Sequence, residues 1–252
     1  HRPEYLETLF KQVKKLDLTK TTWVTHEIYA TFIENNYKPP RAWTDFWCRS
    51  GYDPLKIWKL TYATYSPGKH QDVHFKYLHR HTTSKEFLRN NNVKNTGLNF
   101  RNSNPNCKHC PIIEDQEHIF IDCPQASLIW KYVTPALKEL LKPHTFKLLD
   151  IILGHFPADI SYNKRKLALT IIQTTMHQIW TNRNNFLFAA ATNKPTLKAS
   201  KRFIKSSFHN SILIQFKEHL PHRLAKFRTV FCHTPKLVKV IGDDKLYTHF
   251  FK

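Results

Sequence analysis

The stretch "NCKHCPIIEDQEHIFIDCPQASLIW", residues 106–130, contains three of the five cysteines of the 252-residue chain, with a histidine between the second and the third. Cys107, Cys110, His118 and Cys123 follow the pattern C-x2-C-x7-H-x4-C. Two cysteines separated by two residues can hold one ion from a tight turn, and the histidine and the last cysteine can complete a tetrahedron. This closed set of four ligands is typical of structural zinc, because a catalytic zinc keeps one position open. We therefore predict one structural Zn²⁺ in a CCHC zinc knuckle.

The cysteines favour metal binding over a disulfide framework. Their number is odd, and the sequence shows no secretory signal. Disulfides are rare in reducing compartments, where closely spaced cysteines more often bind metal. The remaining alternative is three buried thiols beside an unrelated histidine. We expect an intracellular protein, in the nucleus, the cytoplasm or both, and we interpret the chain, which begins with His1, as part of a longer polypeptide.

Most of the sequence on either side of the cysteine cluster has helical periodicity. Two short helices around a turn are predicted within residues 72–93, with Ser84 as the N-cap of the second. Residues 124–141 predict a helix interrupted at Pro135. Residues 163–188 predict a long helix that forms the spine of the C-terminal half, and residues 196–220 predict a basic helix.

The predicted fold is mainly α-helical, with an inserted CCHC zinc knuckle and a small C-terminal β-hairpin around Gly242. We divide the chain into three parts. Residues 1–69 are a helical, aromatic-rich segment with helices at 3–16 and 21–35, residues 70–135 are the zinc-binding domain, and residues 136–252 are a basic helical region that ends in the hairpin.

The charge of the chain points to a polyanionic partner. Lysine and arginine together number 39 against 19 acidic residues, a formal net charge of +20. Nucleic acid is the leading candidate for such a basic protein, and an anionic membrane surface is the second. No apolar run is long enough to span a membrane, and no strongly amphipathic terminal anchor supports binding to a membrane surface, so no membrane partner is expected. Glycine occurs only five times, without a Gly-rich phosphate loop, so a nucleotide cofactor is not expected.

Three groups of basic residues are candidate contacts to nucleic acid. Lys198, Lys201, Arg202 and Lys205 share an arc of the predicted basic helix, where they can meet phosphates. Lys164, Arg165 and Lys166 lie at a helix start, where positive charge opposes the helix dipole and a bound anion would relieve it. Arg183 can contact nucleic acid or, alternatively, brace the core.

Residues 70–190 resemble the zinc-binding domain that follows the reverse transcriptase in non-LTR (LINE-type) retrotransposon proteins. The resemblance rests on Leu78-His79, the Thr82-Thr83 turn, Cys107 and Cys110, Glu117-His118, Ile119-Phe120, Cys123-Pro124 and Trp130, followed by "HQIWTNRNNFLF" at 177–188. It implies the C-terminal region of a polypeptide that is an RNA-directed DNA polymerase. It further implies that this region handles template RNA and target DNA during target-primed reverse transcription, and contacts the polymerase portion.

Two other classes of function remain as alternatives. A metal-dependent nuclease would use acids such as Asp159, Asp243 or Asp244. Two-metal chemistry needs carboxylates arranged together around the ions, and the sequence pattern does not indicate such an arrangement. Glu114, Asp115 and Glu117 are expected to be solvated at a loop tip. A protein-interaction scaffold would dock its zinc knuckle on the polymerase. We expect no catalytic site in this chain itself.

Overall fold

The computed structural model describes residues 51, 54–90, 104–188, 196–220, 223–232, 234, 236–242 and 245–249. The helices predicted at 3–16 and 21–35 lie outside these residues. In the described part the elements are α1 (Pro54–Tyr62), α2 (Gly68–Leu78), α3 (Lys85–Asn90), a π-helical turn (His118–Asp122), α4 (Pro124–Leu140), α5 (Leu148–Ile152), α6 (Tyr162–Phe188), α7 (Leu197–His219), α8 (Leu224–Phe231), β1 (Val238–Ile241) and β2 (Lys245–Thr248). The mainly α-helical fold and the C-terminal hairpin are therefore confirmed.

Helix α6 is the centre of the fold. Every residue from 167 to 176 is buried, because α2, α4 and α7 and the π-helical turn pack around it. Helices α6 and α7 run antiparallel: the Asn182 Nδ2 donates to Ser200 Oγ at 2.8 Å, and one and a half turns earlier the ring of His177 packs on Phe203. The predicted spine of the C-terminal half is thus also the axis of the whole described part.

A buried polar network connects α6 to its N-terminal neighbours. The Gln173 side-chain amide donates to the carbonyl oxygen of Thr61 at 2.9 Å and accepts from the Thr64 hydroxyl at 2.7 Å. The His74 ring is completely buried, and its Nε2 donates to the Ile152 carbonyl oxygen at 2.7 Å while Nδ1 faces the Gln173 amide. Buried polar groups need such partners, so this network fixes how α1, α2 and α5 sit on α6.

Helix α4 runs without a break through Pro135, so the predicted interruption is wrong. Pro135 is exposed, whereas Val133, Ala136 and Leu137 on the other side are buried against the core. Packing of the apolar side therefore outweighs the backbone hydrogen bond that a proline removes. The boundary suggested between residues 135 and 136 falls inside this helix.

The buried side chains form one hydrophobic cluster that extends from Ile57 in α1 to Val238 in β1. The strands of the hairpin pair antiparallel, with Val238 opposite Thr248 and Val240 opposite Leu246. Gly242 follows β1 with φ of 62°, a conformation that glycine adopts without strain.

The predicted N-cap of α3 is confirmed, since the Ser84 Oγ accepts from the Phe87 N–H at 3.0 Å.

Candidate metal centre

The four predicted zinc ligands converge on one point. The sulfur atoms of Cys107, Cys110 and Cys123 and a ring nitrogen of His118 all lie within 4.8 Å of one another. The Cys107 and Cys123 sulfurs are 4.0 Å apart, and the Cys110 sulfur is 3.2 Å from His118 Nε2. A disulfide is excluded for the first pair, because an S–S bond is only about 2.05 Å long.

The spacing of these atoms fits a tetrahedral zinc ion. Zn–S bonds of about 2.3 Å and Zn–N bonds of about 2.0 Å place two ligand sulfurs about 3.8 Å apart, and a sulfur and a nitrogen about 3.5 Å apart. The observed 4.0 Å and 3.2 Å lie close to these values. The four side chains therefore fit a zinc ion, with His118 coordinating through Nε2.

The first two cysteines lie in a short hydrogen-bonded loop. The Cys107 N–H donates to the carbonyl oxygen of Ile112 at 2.8 Å, and the His109 N–H donates to the Cys107 sulfur at 3.3 Å. Asn106 and Ile113 form an antiparallel bridge that closes the loop. We call residues 105–117 the knuckle. Its backbone places both sulfurs on the side that faces His118 and Cys123.

The other two ligands are positioned by the π-helical turn, which the sequence did not reveal. The Asp115 carboxylate caps its start by accepting from the His118 N–H at 2.6 Å, and the Cys123 N–H donates to the His118 carbonyl oxygen at 2.8 Å. In an α-helix, residues five apart point about 140° away from each other. The wider i→i+5 turn brings His118 and Cys123 onto the same side, and such turns are frequent at functional sites.

Without a bound cation, the protonated form of the cysteine thiols is favoured over the thiolate. Burial raises the pKa of Cys123 to about 11, and the neighbouring Cys107 sulfur contributes to this rise. Burial and the same neighbour also raise the pKa of Cys110. A bound metal ion reverses this preference, because thiolates are the form that coordinates metal.

The acidic loop inside the knuckle is not solvated as predicted. Glu114 is buried, with 2% of its side chain exposed, and its carboxylate pairs with Arg183 of α6 and accepts from the Lys85 N–H. Glu117 pairs with Arg80 at the end of α2. These acids are therefore structural contacts that attach the knuckle to two helices, and their basic partners, distant in sequence, explain why sequence inspection missed them.

Apolar contacts anchor the other side of the centre. The Trp130 indole N–H donates to the carbonyl oxygen of Phe120 at 2.6 Å, so α4 is tied to the π-helical turn. Phe120 in turn packs edge-on against Tyr77, with ring centroids 5.5 Å apart. The ligand-bearing segment is thus held on the core by residues of α2, α4 and α6.

The basic group predicted on α7 forms a surface depression. Lys198, Lys201, Arg202 and Lys205 line it together with Leu197 and Tyr132 of α4. The Lys201 ammonium lies 5.1 Å from the centroid of the Tyr132 ring. Positions i, i+3, i+4 and i+7 place these cations along about 10 Å of one helix face. Tyr132 was not among the predicted residues, and nothing in the local sequence marks it.

The predicted basic group at the start of α6 has protein partners. The Arg165 guanidinium donates to the carbonyl oxygens of Pro157, Ala158 and Ile160. The Lys166 ammonium lies 4.2 Å from the centroid of the Tyr65 ring, and burial lowers its pKa. Lys164 is half-buried in the first turn of α6. Carbonyl oxygens and aromatic rings, rather than a bound anion alone, can therefore balance the unfavourable position of these charges at the helix start.

Arg183 takes the bracing role that the sequence left open. Besides Glu114 it contacts the Asn184 side chain at 2.9 Å, and its guanidinium lies 5.0 Å from the centroid of the Trp180 ring. Only 11% of its side chain is exposed. A nucleic-acid contact by Arg183 stays a prediction, but its present partners already occupy most of the guanidinium.

The described residues contain no second group of three or more histidine, cysteine, aspartate or glutamate side chains able to hold a metal ion. Asp159 is exposed and pairs with His144, whose Nε2 lies 2.7 Å from its Oδ2. The Asp243-Asp244 pair lies outside the described part of the chain.

None of the helices described in the structure has both the length and the apolar character to cross a membrane.

Comparison with protein-family models, with curated proteins and with solved structures finds no match to this chain.

Proposed function

We propose that this chain is the nucleic-acid-binding C-terminal region of a non-LTR retrotransposon reverse transcriptase protein, with one structural zinc ion. The observation that carries the proposal is the convergence of Cys107, Cys110, His118 and Cys123. These residues belong to the segment whose spacing resembles that family. The parent polypeptide would be an RNA-directed DNA polymerase of the nucleus, the cytoplasm or both.

The ligand set supports a structural role for the ion. Three sulfurs and one imidazole complete a tetrahedron, so no coordination position is left for a reacting water. Soft thiolate ligands in this number favour zinc over magnesium or calcium, which prefer oxygen. When bound, the ion would join the knuckle to the π-helical turn, and its binding free energy would contribute directly to folding.

The distribution of charge supports nucleic acid as the partner. The depression on α7 brings Lys198, Lys201, Arg202 and Lys205 to one surface beside an aromatic ring. Lysine and arginine on such a surface neutralise phosphates and release counterions, which is the main source of affinity without sequence recognition. The net charge of +20 adds long-range attraction. The chain's own contribution is thus electrostatic binding on a scaffold fixed by metal.

Salt dependence tests the binding proposal. Single-stranded RNA and DNA are titrated with the zinc-loaded chain by fluorescence anisotropy at several salt concentrations. If about five phosphates of a single strand are neutralised, log affinity falls with log salt at a slope of about −3 to −4. A flat response, or no binding to either strand at low salt, would contradict the proposal.

A second role, docking on the polymerase portion, is favoured by one observation. Ile112 and Ile113 at the tip of the knuckle are 53% and 51% exposed, although both are large aliphatic side chains. Exposed apolar pairs in a charged surface are suited to protein contacts. Replacing both with serine should weaken co-purification with the polymerase portion and leave the salt slope unchanged. Equal co-purification would remove this role.

A further inference from the structure

A cavity of about 230 Å³ lies next to the metal centre, between the knuckle, the first turns of α4 and the last turns of α6. Lys108 lines it from the knuckle, Ala126 and Ile129 line it from α4, and Arg183 and Phe186 line it from α6. It shares no lining residue with the basic depression on α7. Cys107, His118 and Cys123, three of the four predicted zinc ligands, also line it, so a bound zinc ion would close one edge of the cavity.

One side of the cavity is apolar. Ile119, Ala126, Ile129 and Ile179 form buried aliphatic walls. Moving an ion from water into such surroundings is costly unless it is paired, so a free phosphate is a poor occupant. A neutral group with a large apolar surface is a better one.

The rim of the cavity carries one exposed positive charge, whereas the zinc-loaded centre, with Zn²⁺ and three thiolates, would contribute one negative charge to its wall. Glu114 is the single acid among the lining residues, and its carboxylate is paired with the Arg183 guanidinium. Lys108 supplies the exposed positive charge. An aliphatic wall with this cation at the rim suits a ligand that has a neutral planar part and an anionic part attached to it.

The size and the walls of the cavity fit a planar ring. Cavities of about 150 Å³ accept benzene, so this one has room for a larger heterocycle. The rings of His109 and Phe186 pack with centroids 4.1 Å apart and give one wall an aromatic surface. We infer that the cavity binds one unpaired base of a single-stranded nucleic acid, with the adjoining phosphates at the basic rim. This inference rests on the proposed function and specifies its ligand.

An apolar side chain of a polypeptide partner is the competing occupant. It would fill the aliphatic interior equally well, but it would gain nothing from the positive rim. The net charge of +20 also favours an anionic polymer over a polypeptide. The base is therefore the occupant that uses both the interior and the rim.

The test compares two single strands that carry the same charge. One is a labelled DNA of about 12 nucleotides, and the other has the same backbone with every base removed. Both are titrated with the zinc-loaded chain at the same salt concentration. Because stacking of a base contributes affinity beyond the phosphates, the base-bearing strand should bind roughly fivefold tighter or more.

Two variants assign this preference to the cavity. Ala126→Leu fills the interior from α4, and Leu187→Trp fills it from the half-buried rim in case the first variant folds poorly. Ala225→Leu, on an exposed position of α8, is the matched control. Metal content and thermal unfolding are measured for each. We expect the filled variants to bind both strands equally, with an unchanged salt slope, and the control to keep the preference.

The outcomes separate the inference from the proposed function. If neither strand binds at low salt, the proposed function fails. If both strands bind the unaltered chain equally, or if folded, zinc-loaded Ala126→Leu and Leu187→Trp variants keep the preference for bases, only the inference is overturned. An apolar side chain of a protein partner then becomes the occupant to test.

Discussion

Arg183 of the long helix and Glu114 of the knuckle form an ion pair, with Nη2 2.5 Å from Oε1, although both side chains are almost completely shielded from solvent. The pair spans two parts of the chain that are 69 residues apart. It connects the loop that bears Cys107 and Cys110 to the helix against which the whole core packs. The orientation of the first two metal ligands therefore depends on a helix that supplies no ligand itself.

Arg183→Ala should lower the free energy of unfolding by about 3–5 kcal/mol, because it leaves the buried Glu114 carboxylate without its cation. Urea unfolding of the zinc-loaded chain measures this. Lys76→Ala is the control, since its ion pair with Asp72 is exposed by 53% on both sides and should cost no more than about 1 kcal/mol. Adding Glu114→Gln to Arg183→Ala should recover part of the loss. Equal effects of Arg183→Ala and Lys76→Ala would show that the buried pair contributes little.

Cys110→Ser should remove the metal. Elemental analysis of the unaltered chain should give one equivalent of zinc, and the variant should give almost none and unfold at a markedly lower temperature, because metal binding contributes to folding. Cys232→Ser is the matched control, since that half-buried thiol lies outside the cluster. A stable, metal-free unaltered chain, or a zinc-loaded Cys110→Ser variant, would contradict the predicted centre.

Lys201→Gln combined with Lys205→Gln should weaken nucleic-acid binding and reduce the salt slope by about 0.7 for each phosphate that the protein no longer neutralises. The double variant Lys226→Gln and Lys239→Gln removes the same charge from exposed positions of α8 and β1 and serves as the control. Anisotropy titrations at several salt concentrations measure both. If the two pairs change the slope equally, the α7 depression has no special part in binding.

Acid should destabilise the fold through its buried histidines. Burial lowers the pKa of His74 to about 4 and that of His70 to about 3, with the neighbouring His177 contributing to the latter. Unfolded histidines titrate near 6.5, so the unfolded chain binds more protons below that pH and stability falls on acidification. Each of the two residues should cost roughly 2 kcal/mol at about pH 5 relative to neutral pH.

Urea unfolding across this range measures the effect, with metal content followed at each pH to separate loss of zinc. His74→Gln should flatten the acid limb of the profile. His249→Gln, at an exposed position that follows β2, is the control variant. An unaltered slope in His74→Gln would assign the acid sensitivity to other groups.

The parts of the molecule that the sequence predicted well depend on local spacing. Cys107, Cys110, His118 and Cys123 occupy 17 consecutive positions, so their pattern alone predicted that they would meet. The spine helix was recognisable from its apolar residues, and Ser84 from its place before a helix. Such features are fixed by residues a few positions apart, which periodicity and capping rules describe.

The features that sequence inspection missed depend on partners far along the chain. Glu114 resembled a solvated loop acid because its partner Arg183 lies 69 residues further along the chain. Lys166 resembled a phosphate contact because its neighbour Tyr65 lies 101 residues earlier. Pro135 resembled a break because propensity was weighed without the packing of the opposite helix face. Charges and aromatic rings look available until the tertiary structure assigns their neighbours.

The π-helical turn makes the centre more sensitive to the length of the chain than to its composition. Ile119, Phe120, Ile121 and Asp122 do not coordinate, so substitutions among them leave the ligands in place if the apolar ones remain apolar. Deleting one of the four would leave His118 and Cys123 four positions apart, which an ordinary α-helical turn keeps on the same face. Inserting one residue would leave them six positions apart, about 120° away from each other on an α-helix. Related chains can therefore diverge in the identity of these four residues, but an insertion among them would separate the two halves of the ligand set.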